Sequence, residues 1–305
     1  MTPFFSIIVP TYNRATLLQK GIESVRAQRF SNWELLIIDD GSDDATAQIV
    51  AEFSDERIRY YFQEKGERSQ ARNRGVQRSR APYLCFLDDD DYWLPNYLQH
   101  FYEAIQSGAQ KTILRTGFYY AFGTKLRKGR QYHSWSYRHP ISFVLQEMCG
   151  VWTLCIPRDF LLEHSFPDFP HWQDTHLILR LLANYPFRQL PEFQYVYVQH
   201  EQMGTQQIFA SDEAIEARLQ LNLMAIDHFF EHHQGESARY FTARTHRWLI
   251  SRKLLNYATA ALVRGNVSKA KTLWKRSLAK GMFWRHWRLY LVYLKHFVQQ
   301  RWRRN

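Results

Sequence analysis

Cysteine is scarce in this chain of 305 residues, which has only Cys85, Cys149 and Cys155. An odd number of cysteines without a CxxC pair excludes a disulfide-stapled fold and a zinc ribbon. No uninterrupted apolar run approaches the roughly 18 residues of a membrane-spanning helix. The amino terminus has neither a basic segment nor a small-residue cleavage site. We therefore expect a cytoplasmic protein, and the charge of its last part allows a peripheral position on the inner face of the membrane.

The charge of the chain changes sign along its length. Residues 1–238 hold 23 Lys and Arg against all 29 Asp and Glu, whereas residues 239–305 hold 17 Lys and Arg and no acidic residue. Five of the ten tryptophans also lie in this basic tail. An interfacial helix on an anionic membrane surface fits this composition. A helical bundle with a basic outer face is the alternative, and nucleic acid is the least favoured partner because no recognition motif is present.

Short apolar runs alternate with helical patterns over the first 110 residues. They predict buried strands at Phe5–Val9, Leu35–Ile38 and Tyr83–Leu87, and a further strand at Ile58–Phe62. Helical patterns follow the first three runs, and Asp43 and Asp44 are positioned to cap the second of these helices. Strands that are apolar on both faces and alternate with helices indicate an α/β fold with a parallel sheet covered on both sides.

The rest of the chain is mixed and then helical. Residues 112–116, 151–156 and 193–198 have the pattern of strands, and residues 175–183 have that of a helix. From about residue 211 onward the chain is predicted to be entirely helical, with glycines only between helices.

Polar side chains follow three of the predicted strands, at the edge where a parallel sheet binds its ligands. Thr11 follows the first, Asp39 ends the second, and the run Asp88–Asp91 follows the fourth. Adjacent carboxylates repel one another unless a cation is present. Carboxylate oxygens suit Mg²⁺ or Mn²⁺, which take further ligands from substrate phosphates. A solvated acidic turn is the alternative interpretation of the run.

These strand ends also suit a nucleotide. The carboxylate of Asp39 can accept the N–H of a pyrimidine base, and Thr11 is placed to contact base or ribose. Arg68, Arg72 and Arg74 precede the fourth strand, where a guanidinium can bind a diphosphate oxygen. A solvated helix face is the alternative for each arginine.

Four segments in this order resemble the inverting glycosyltransferases of family two, which have the GT-A fold. The resemblance is dense over residues 4–100, thinner to residue 205, and does not include the tail. It rests on Pro10-Thr11-Tyr12-Asn13-Arg14, Asp39-Asp40-Gly41-Ser42-Asp43-Asp44, Ala71-Arg72-Asn73-Arg74-Gly75 and Phe86-Leu87-Asp88-Asp89-Asp90-Asp91.

The resemblance implies a mostly parallel, Rossmann-like sheet flanked by helices. It implies a catalytic domain at 1–205, with a nucleotide-binding half at 1–110 and an acceptor half at 111–205. The helical pattern and the charge of the remaining residues, which lie outside the resemblance, predict a basic helical region at 206–305. The expected reaction moves a sugar from a nucleoside-diphosphate donor, with UDP favoured, to a saccharide or lipid-linked acceptor. Mn²⁺ or Mg²⁺ is the expected cofactor.

Site residues follow from the resemblance by position. Asp39 would hold the base, Asp88 would lie by the ribose, and Asp90 would bind the metal. Because four aspartates are adjacent, Asp89 is the alternative in a pair shifted by one residue. The remaining candidates for binding the nucleotide-sugar are Pro10, Thr11, Tyr12, Asn13, Arg68 and Arg72.

Two later residues complete the expected site. Asp174 matches the family's general base, although Gln173 replaces the glutamate that usually precedes it; the alternative for Asp174 is a helix cap. His200 matches the histidine of an Arg-x-His motif that lacks its arginine here. We expect His200 at the metal or diphosphate, with a lone surface histidine as the alternative.

Two rival functions remain open. A nucleotidyltransferase would be expected to have a glycine-rich phosphate loop, which the segment after the first strand does not supply. A catalytically weak or inactive nucleotide-sugar-binding scaffold that acts through its tail stays possible because of Gln173 and the missing arginine. On the acceptor side, His133, Trp135 and Trp152 are candidates for stacking on sugars, with core packing as the alternative.

Overall fold

A computed structural model describes residues 2–129, 150–168, 172–200, 211–232 and 242–280. The chain divides into two compact units, residues 1–200 and residues 201–305. The predicted boundary at residue 205, the aromatic candidates His133 and Trp135, and the tail beyond residue 280 lie outside the described residues. The assignment of separate functions to the two parts stays a prediction.

The first four strands form a parallel sheet, as the apolar runs predicted. Their order in the sheet is β3-β2-β1-β4. They are β1 (Phe5–Thr11), β2 (Trp33–Asp39), β3 (Ile58–Phe62) and β4 (Tyr83–Phe86). The central side chains of β1, β2 and β4 are fully buried, because connecting helices cover both faces of the sheet.

Three helices connect these strands: α1 (Ala15–Arg26), α2 (Thr46–Ala51) and α3 (Arg68–Arg78). The predicted capping of α2 by Asp43 and Asp44 is only partly right, since Ala45 is its cap residue and no side chain caps it there. Asp44 accepts a hydrogen bond from the backbone N–H of Thr46 at 3.0 Å and another from Ala15 at 3.1 Å. Asp44 therefore ties the start of α2 to the start of α1.

The sheet continues with mixed pairing beyond β4, and the described residues form nine strands in all. The further elements are β5 (Tyr92–Trp93), α4 (Tyr97–Gln106), β6 (Ile113–Phe122), β7 (Lys125–Lys128), β8 (Leu154–Pro157), α5 (Arg158–Glu163), α6 (Gln173–Asn184) and β9 (Phe187–Val198). Strand β8 is antiparallel to both β4 and β6, while β9 is parallel to β6 and antiparallel to β5. The first four strands are thus all parallel, whereas the later strands pair in both directions.

The predicted strand at residues 151–156 is in part a helical turn. Residues Val151–Thr153 form a single 3₁₀ turn before β8 begins. The Thr153 hydroxyl donates to the carbonyl of Gly150 at 3.1 Å, which stabilises the turn. Trp152 is 5% exposed and packs on Tyr195, with ring centroids 4.6 Å apart, so this residue belongs to the core.

The second unit is helical over its described residues. Its helices are α7 (Asp212–His232), α8 (Ala243–Val263) and α9 (Val267–Leu278). Asn222 donates from its side chain to the Tyr257 hydroxyl at 2.9 Å, which joins α7 to α8. Ser251 and Ser277 pair at 2.9 Å and join α8 to α9. Within the described ranges, no helix combines the length and the apolarity needed to cross a membrane.

Candidate active site

The carboxyl ends of β1, β2 and β4 place polar residues along one edge of the sheet. Thr11 and Asp39 are the last residues of β1 and β2, and the strand register sets them directly opposite each other. The acidic run begins two residues after the end of β4, which pairs with β1 on its other side. The parallel order therefore brings the predicted base-binding carboxylate and the acidic run to the same edge.

Asp39 is held in a fixed orientation at this edge. Its Oδ1 accepts the backbone N–H of Ser42 at 2.8 Å, and its Oδ2 accepts the hydroxyl of Tyr60 at 2.5 Å. Burial, and then the bond to Asp39, raise the pKa of Tyr60, so the phenol stays protonated and remains a donor. Asp39 itself is 1% exposed. A buried carboxylate with rigid hydrogen bonds is suited to recognising one further N–H group.

Tyr12 and Asn13 follow Thr11 and extend this edge. Tyr12 is half-exposed, and the ammonium of Lys65 lies 4.1 Å from the centre of its ring and 2.9 Å from its hydroxyl. Asn13 has a left-handed backbone (φ 51°) and is bonded to Ser42 and Asp43. The turn after β1 is therefore fixed to the turn after β2.

The four aspartates of the acidic run have different surroundings, and Asp91 faces the core. The carboxylate of Asp91 is 1% exposed and accepts from the Tyr195 hydroxyl at 2.7 Å and the Val198 N–H at 2.8 Å. Burial, and then the charges of Asp88 and Asp90, raise the pKa of Asp91 well above its usual range. Asp91 thus fastens the run to β9, and Asp88, Asp89 and Asp90 remain as candidate ligand groups.

Asp89 and Asp90 both form a salt bridge with the guanidinium of Arg14. The NH1 atom of Arg14 lies 2.8 Å from Asp89 Oδ1 and 2.6 Å from Asp90 Oδ2. The same Asp90 oxygen lies 3.1 Å from Nε2 of His200. Burial raises the pKa of Asp89 to about 6, although the charge of Arg14 acts in the opposite direction. His200 is therefore part of this cluster and not a lone surface histidine.

A second arginine joins the acidic run to α6. Arg72 is 5% exposed; it donates from NH1 to Asp174 Oδ1 at 2.9 Å and from NH2 to Asp88 Oδ1 at 3.0 Å. Burial alone would lower the pKa of Arg72, but the charges of Asp174 and Asp88 raise it. Arg72 thus carries a permanent charge between two carboxylates that lie 86 residues apart in sequence.

Asp174 does not cap its helix. The cap residue of α6 is Trp172, which has a left-handed backbone (φ 66°), and Asp174 lies in the first turn. Its side chain is about one-quarter exposed and bonds to Arg72. The start of α6 and the guanidinium both favour a negative charge at this position.

Asp90 and His200 are the side chains that fit a divalent cation best. A carboxylate oxygen and an imidazole nitrogen suit Mn²⁺. Among the described residues, no group of three or more His, Cys, Asp or Glu side chains is arranged to hold a metal. Ions of this kind commonly take only one or two protein ligands and complete their shell with water and substrate phosphates. The residues therefore fit a metal that binds together with a diphosphate, provided that Arg14 leaves Asp90.

The family model described as "Glycosyl transferase family 2" matches residues 6–165, which is more than half of the chain. The chain belongs to glycosyltransferase family 2. The matched segment begins inside β1 and includes β2, β3, β4 and the whole acidic run, so the resemblance found in the motifs is confirmed.

Curated glycosyltransferases match different lengths of the chain. A Rickettsia typhi protein described as an uncharacterized glycosyltransferase is 35% identical over 99 residues, which is 32% of this chain and 31% of that protein. Glycosyltransferase GlyA of Streptococcus pneumoniae is 36% identical over 38% of this chain, but only 17% of GlyA is covered. The chain thus spans about a third or less of these two relatives.

A longer match is found in Escherichia coli. The protein WfgD is 31% identical over 186 residues, which is 59% of this chain and 70% of WfgD. It is described as a UDP-Glc:alpha-D-GlcNAc-diphosphoundecaprenol beta-1,3-glucosyltransferase.

Solved structures support the GT-A-like fold at low sequence identity. S. aureus TarS (residues 1–349, in complex with UDP-GlcNAc) has a TM-score of 0.59 at 17% identity, covering 92% of this chain and 93% of TarS. The mannosyltransferase PcManGT of Pyrobaculum calidifontis, in complex with GDP-Man and Mn²⁺, has a TM-score of 0.52 at 16% identity. The aligned region covers 98% of this chain and 86% of PcManGT. At these identities the likeness shows the fold.

The structure brings most of the predicted family 2 site residues together, while their individual roles stay predictions. Arg68 is exposed at the start of α3, and its positive charge acts electrostatically on Asp88. Arg74 donates instead to the Gln63 side chain at 3.2 Å. The other candidates lie at the sheet edge or in the two arginine-linked clusters: Pro10, Thr11, Tyr12, Asn13, Asp39, Arg72, Asp88, Asp89, Asp90, Asp174 and His200.

Sequence reasoning missed the roles of Arg14 and Tyr60. Arg14 ends the first motif, and a positive charge in the turn after the first strand was a usable signal. Tyr60 lies in the middle of β3 and reaches Asp39 only because β3 pairs with β2. No local pattern identifies such a contact.

Proposed function

We propose that this protein transfers a sugar from a nucleoside-diphosphate donor to a hydroxyl of a saccharide or lipid-linked acceptor, with inversion at the anomeric carbon. The observation that carries the proposal is the contact of Arg72 with both Asp174 and Asp88. It joins the expected base, on α6, to the expected donor-binding carboxylate after β4.

Asp174 is the proposed general base. Its carboxylate takes the proton of the acceptor hydroxyl while that oxygen attacks the anomeric carbon. The bond between this carbon and the diphosphate oxygen breaks on the opposite face, and its electron pair leaves with the nucleoside diphosphate. Arg72 holds Asp174 in one position through Oδ1, while the second oxygen of Asp174 faces the acceptor in this proposal.

The donor is proposed to be a UDP-sugar. Asp39 presents a fixed acceptor for the ring N–H of uracil, and Tyr12 offers a half-exposed aromatic face beside it. The names of WfgD and of the TarS complex, which contain UDP-Glc and UDP-GlcNAc, favour the same nucleotide. The sugar itself is left open by these contacts.

The diphosphate is proposed to bind between Asp90 and His200 with Mn²⁺ or Mg²⁺. When bound, the cation would neutralise charge that develops on the leaving diphosphate. The PcManGT structure, which contains Mn²⁺, supports a metal in this fold.

A lipid-linked saccharide diphosphate is the favoured acceptor class. WfgD, of which this chain covers 70%, is named for an acceptor with a diphosphoundecaprenol group. The basic, tryptophan-rich residues 239–305 would bring the protein to the anionic surface where such acceptors lie. This contact with the membrane is a proposal from composition.

The test is release of nucleotide from a panel of UDP- and GDP-sugars with Mn²⁺, by the full chain and by the Asp174→Asn variant. We expect hydrolysis of a UDP-sugar by the full chain. The variant should turn over at least about a hundredfold more slowly while still binding UDP, because general bases contribute about 10²–10⁴-fold to the rate.

Asp168→Asn, at an exposed aspartate before α6, is the matched control. Turnover by Asp174→Asn at the normal rate would refute its role as the base. UDP binding without any turnover or transfer would favour the inactive scaffold.

A further inference from the structure

Arg14 occupies the position between two carboxylates where a cation is expected. Its NH1 atom contacts both Asp89 Oδ1, at 2.8 Å, and Asp90 Oδ2, at 2.6 Å. All three side chains are largely buried, with 21%, 8% and 14% of their surfaces exposed for Arg14, Asp89 and Asp90. The contact is therefore a partly desolvated, charge-assisted pair and not a solvated surface bridge.

The backbone fixes the direction from which Arg14 approaches. Asn13, directly before it, has a left-handed φ of 51° and is fastened to the turn after β2. The Asn13 N–H donates to Ser42 Oγ at 2.9 Å, and its side chain both donates to Asp43 and accepts from it, at 2.7 and 2.9 Å. The next residue, Ala15, begins α1. The backbone on both sides of Arg14 is therefore held by hydrogen bonds.

The atom that Arg14 contacts is the atom that a metal needs. Asp90 Oδ2 lies 2.6 Å from Arg14 and 3.1 Å from His200 Nε2. A divalent ion bound by Asp90 and His200 would lie against the guanidinium. The guanidinium and the metal ion, both next to the same Asp90 oxygen in a partly buried site, would repel each other strongly.

We propose that Arg14 is a built-in competitor of the metal, which holds Asp90 until metal and donor bind together. This inference rests on the proposed function, because it assigns the same acidic cluster to a divalent cation. Metal alone binds weakly, since it must displace Arg14. The displaced guanidinium can then pair with an oxygen of the donor diphosphate, so the nucleotide strengthens metal binding.

The test is the affinity for Mn²⁺ alone, measured by electron paramagnetic resonance on the full chain without nucleotide. Arg14→Met removes the competing charge, and we expect it to bind Mn²⁺ at least about tenfold more tightly than the unchanged protein. Arg14→Lys keeps a positive charge and is expected to bind Mn²⁺ weakly, as the unchanged protein does. Arg26→Met, at a partly exposed arginine in the last turn of α1, is the matched control. Thermal unfolding checks that each variant is folded.

A second titration adds saturating UDP. UDP should strengthen Mn²⁺ binding to the unchanged protein by a larger factor than to Arg14→Met. Equal Mn²⁺ affinities of the unchanged protein and Arg14→Met, or weaker binding by the variant, would overturn the role of Arg14 while leaving the transferase proposal intact. Absence of Mn²⁺ binding in every variant, with UDP present, would overturn both the competition and the metal site. In that case, turnover of a nucleotide-sugar without metal would still support a transferase, and no turnover would favour a scaffold.

Discussion

Arg72 is the residue on which the geometry of the proposed reaction depends most. Its guanidinium is buried and faces Asp174 and Asp88, which belong to different elements. A guanidinium can bind two carboxylates at once because its donors point in fixed, different directions. An ammonium on a flexible chain has no such geometry.

The first prediction at this scale concerns Arg72→Met. Without the guanidinium, Asp88 and Asp174 repel each other and Asp174 is no longer held, so kcat should fall by about a hundredfold or more, the range of general-base catalysis. Arg72→Lys should recover only part of this loss. The measurement is steady-state kinetics with whichever nucleotide-sugar of the proposed panel the unchanged protein turns over. Arg78→Met, at an exposed arginine on the same helix, is the control. A normal kcat in Arg72→Met would show that Arg72 does not position the base.

Several residues of the site could be predicted singly from sequence, but their partners could not. Asp39 ends β2, Asp88 follows β4 after one residue, and Asp174 precedes an apolar helical pattern, so each has a local signal. The predicted use of Arg72 on the diphosphate differs from its contacts in the structure, which are carboxylates. The tertiary structure decides which arginine pairs with which carboxylate, and the local spacing of residues in the sequence does not reveal these pairs.

At the scale of elements, α3 packs unusually close to β1. The position where a Cβ of residue 75 would lie is only 2.4 Å from Cγ2 of the buried Ile8. Gly75 belongs to the motif that includes Arg72. Its absent side chain lets α3 approach the sheet closely enough to bring Arg72 into the site.

A second prediction follows for Gly75→Ala. The added methyl group overpacks the contact with Ile8, so the free energy of unfolding should fall by about 1–3 kcal/mol. In an Ile8→Ala background the same change should cost much less, because the clashing side chain is gone. Urea denaturation of the four proteins measures this difference, and Gln77→Ala, at an exposed position of α3, is the control. An equal cost in both backgrounds would contradict the packing argument.

The elements also show where sequence patterns succeed and fail. The strands β1, β2 and β4 were predicted because buried parallel strands are continuous apolar runs. The strand β3 is half-buried, and its aromatic residues gave the signal. Strands β5 and β7 were missed: β5 has only two residues, and every residue of β7 is exposed and charged or flanked by charge. The antiparallel pairing of β8 with β4 and β6 was not predicted either, since pairing is decided by distant segments.

At the scale of the whole molecule, all the described site residues lie in the unit of residues 1–200. This unit contains the family 2 match, whereas the long basic stretch after residue 238 lies in the other unit. The composition of the tail suggested a separate role for it, and that role stays a prediction. The contact of the basic tail with a membrane stays a prediction, and its last residues, 281–305, lie outside the described part of the chain.

The central claim is that carboxylates at the strand ends bind an activated sugar through its base and its diphosphate. The most direct test is a crystal structure of the full chain with UDP and Mn²⁺, with data collected at the manganese absorption edge. We predict an anomalous peak beside Asp90 and His200, with uracil bonded to Asp39 and Arg14 moved away from Asp90. Bound UDP with its uracil away from Asp39, or with no manganese at Asp90, would contradict the account.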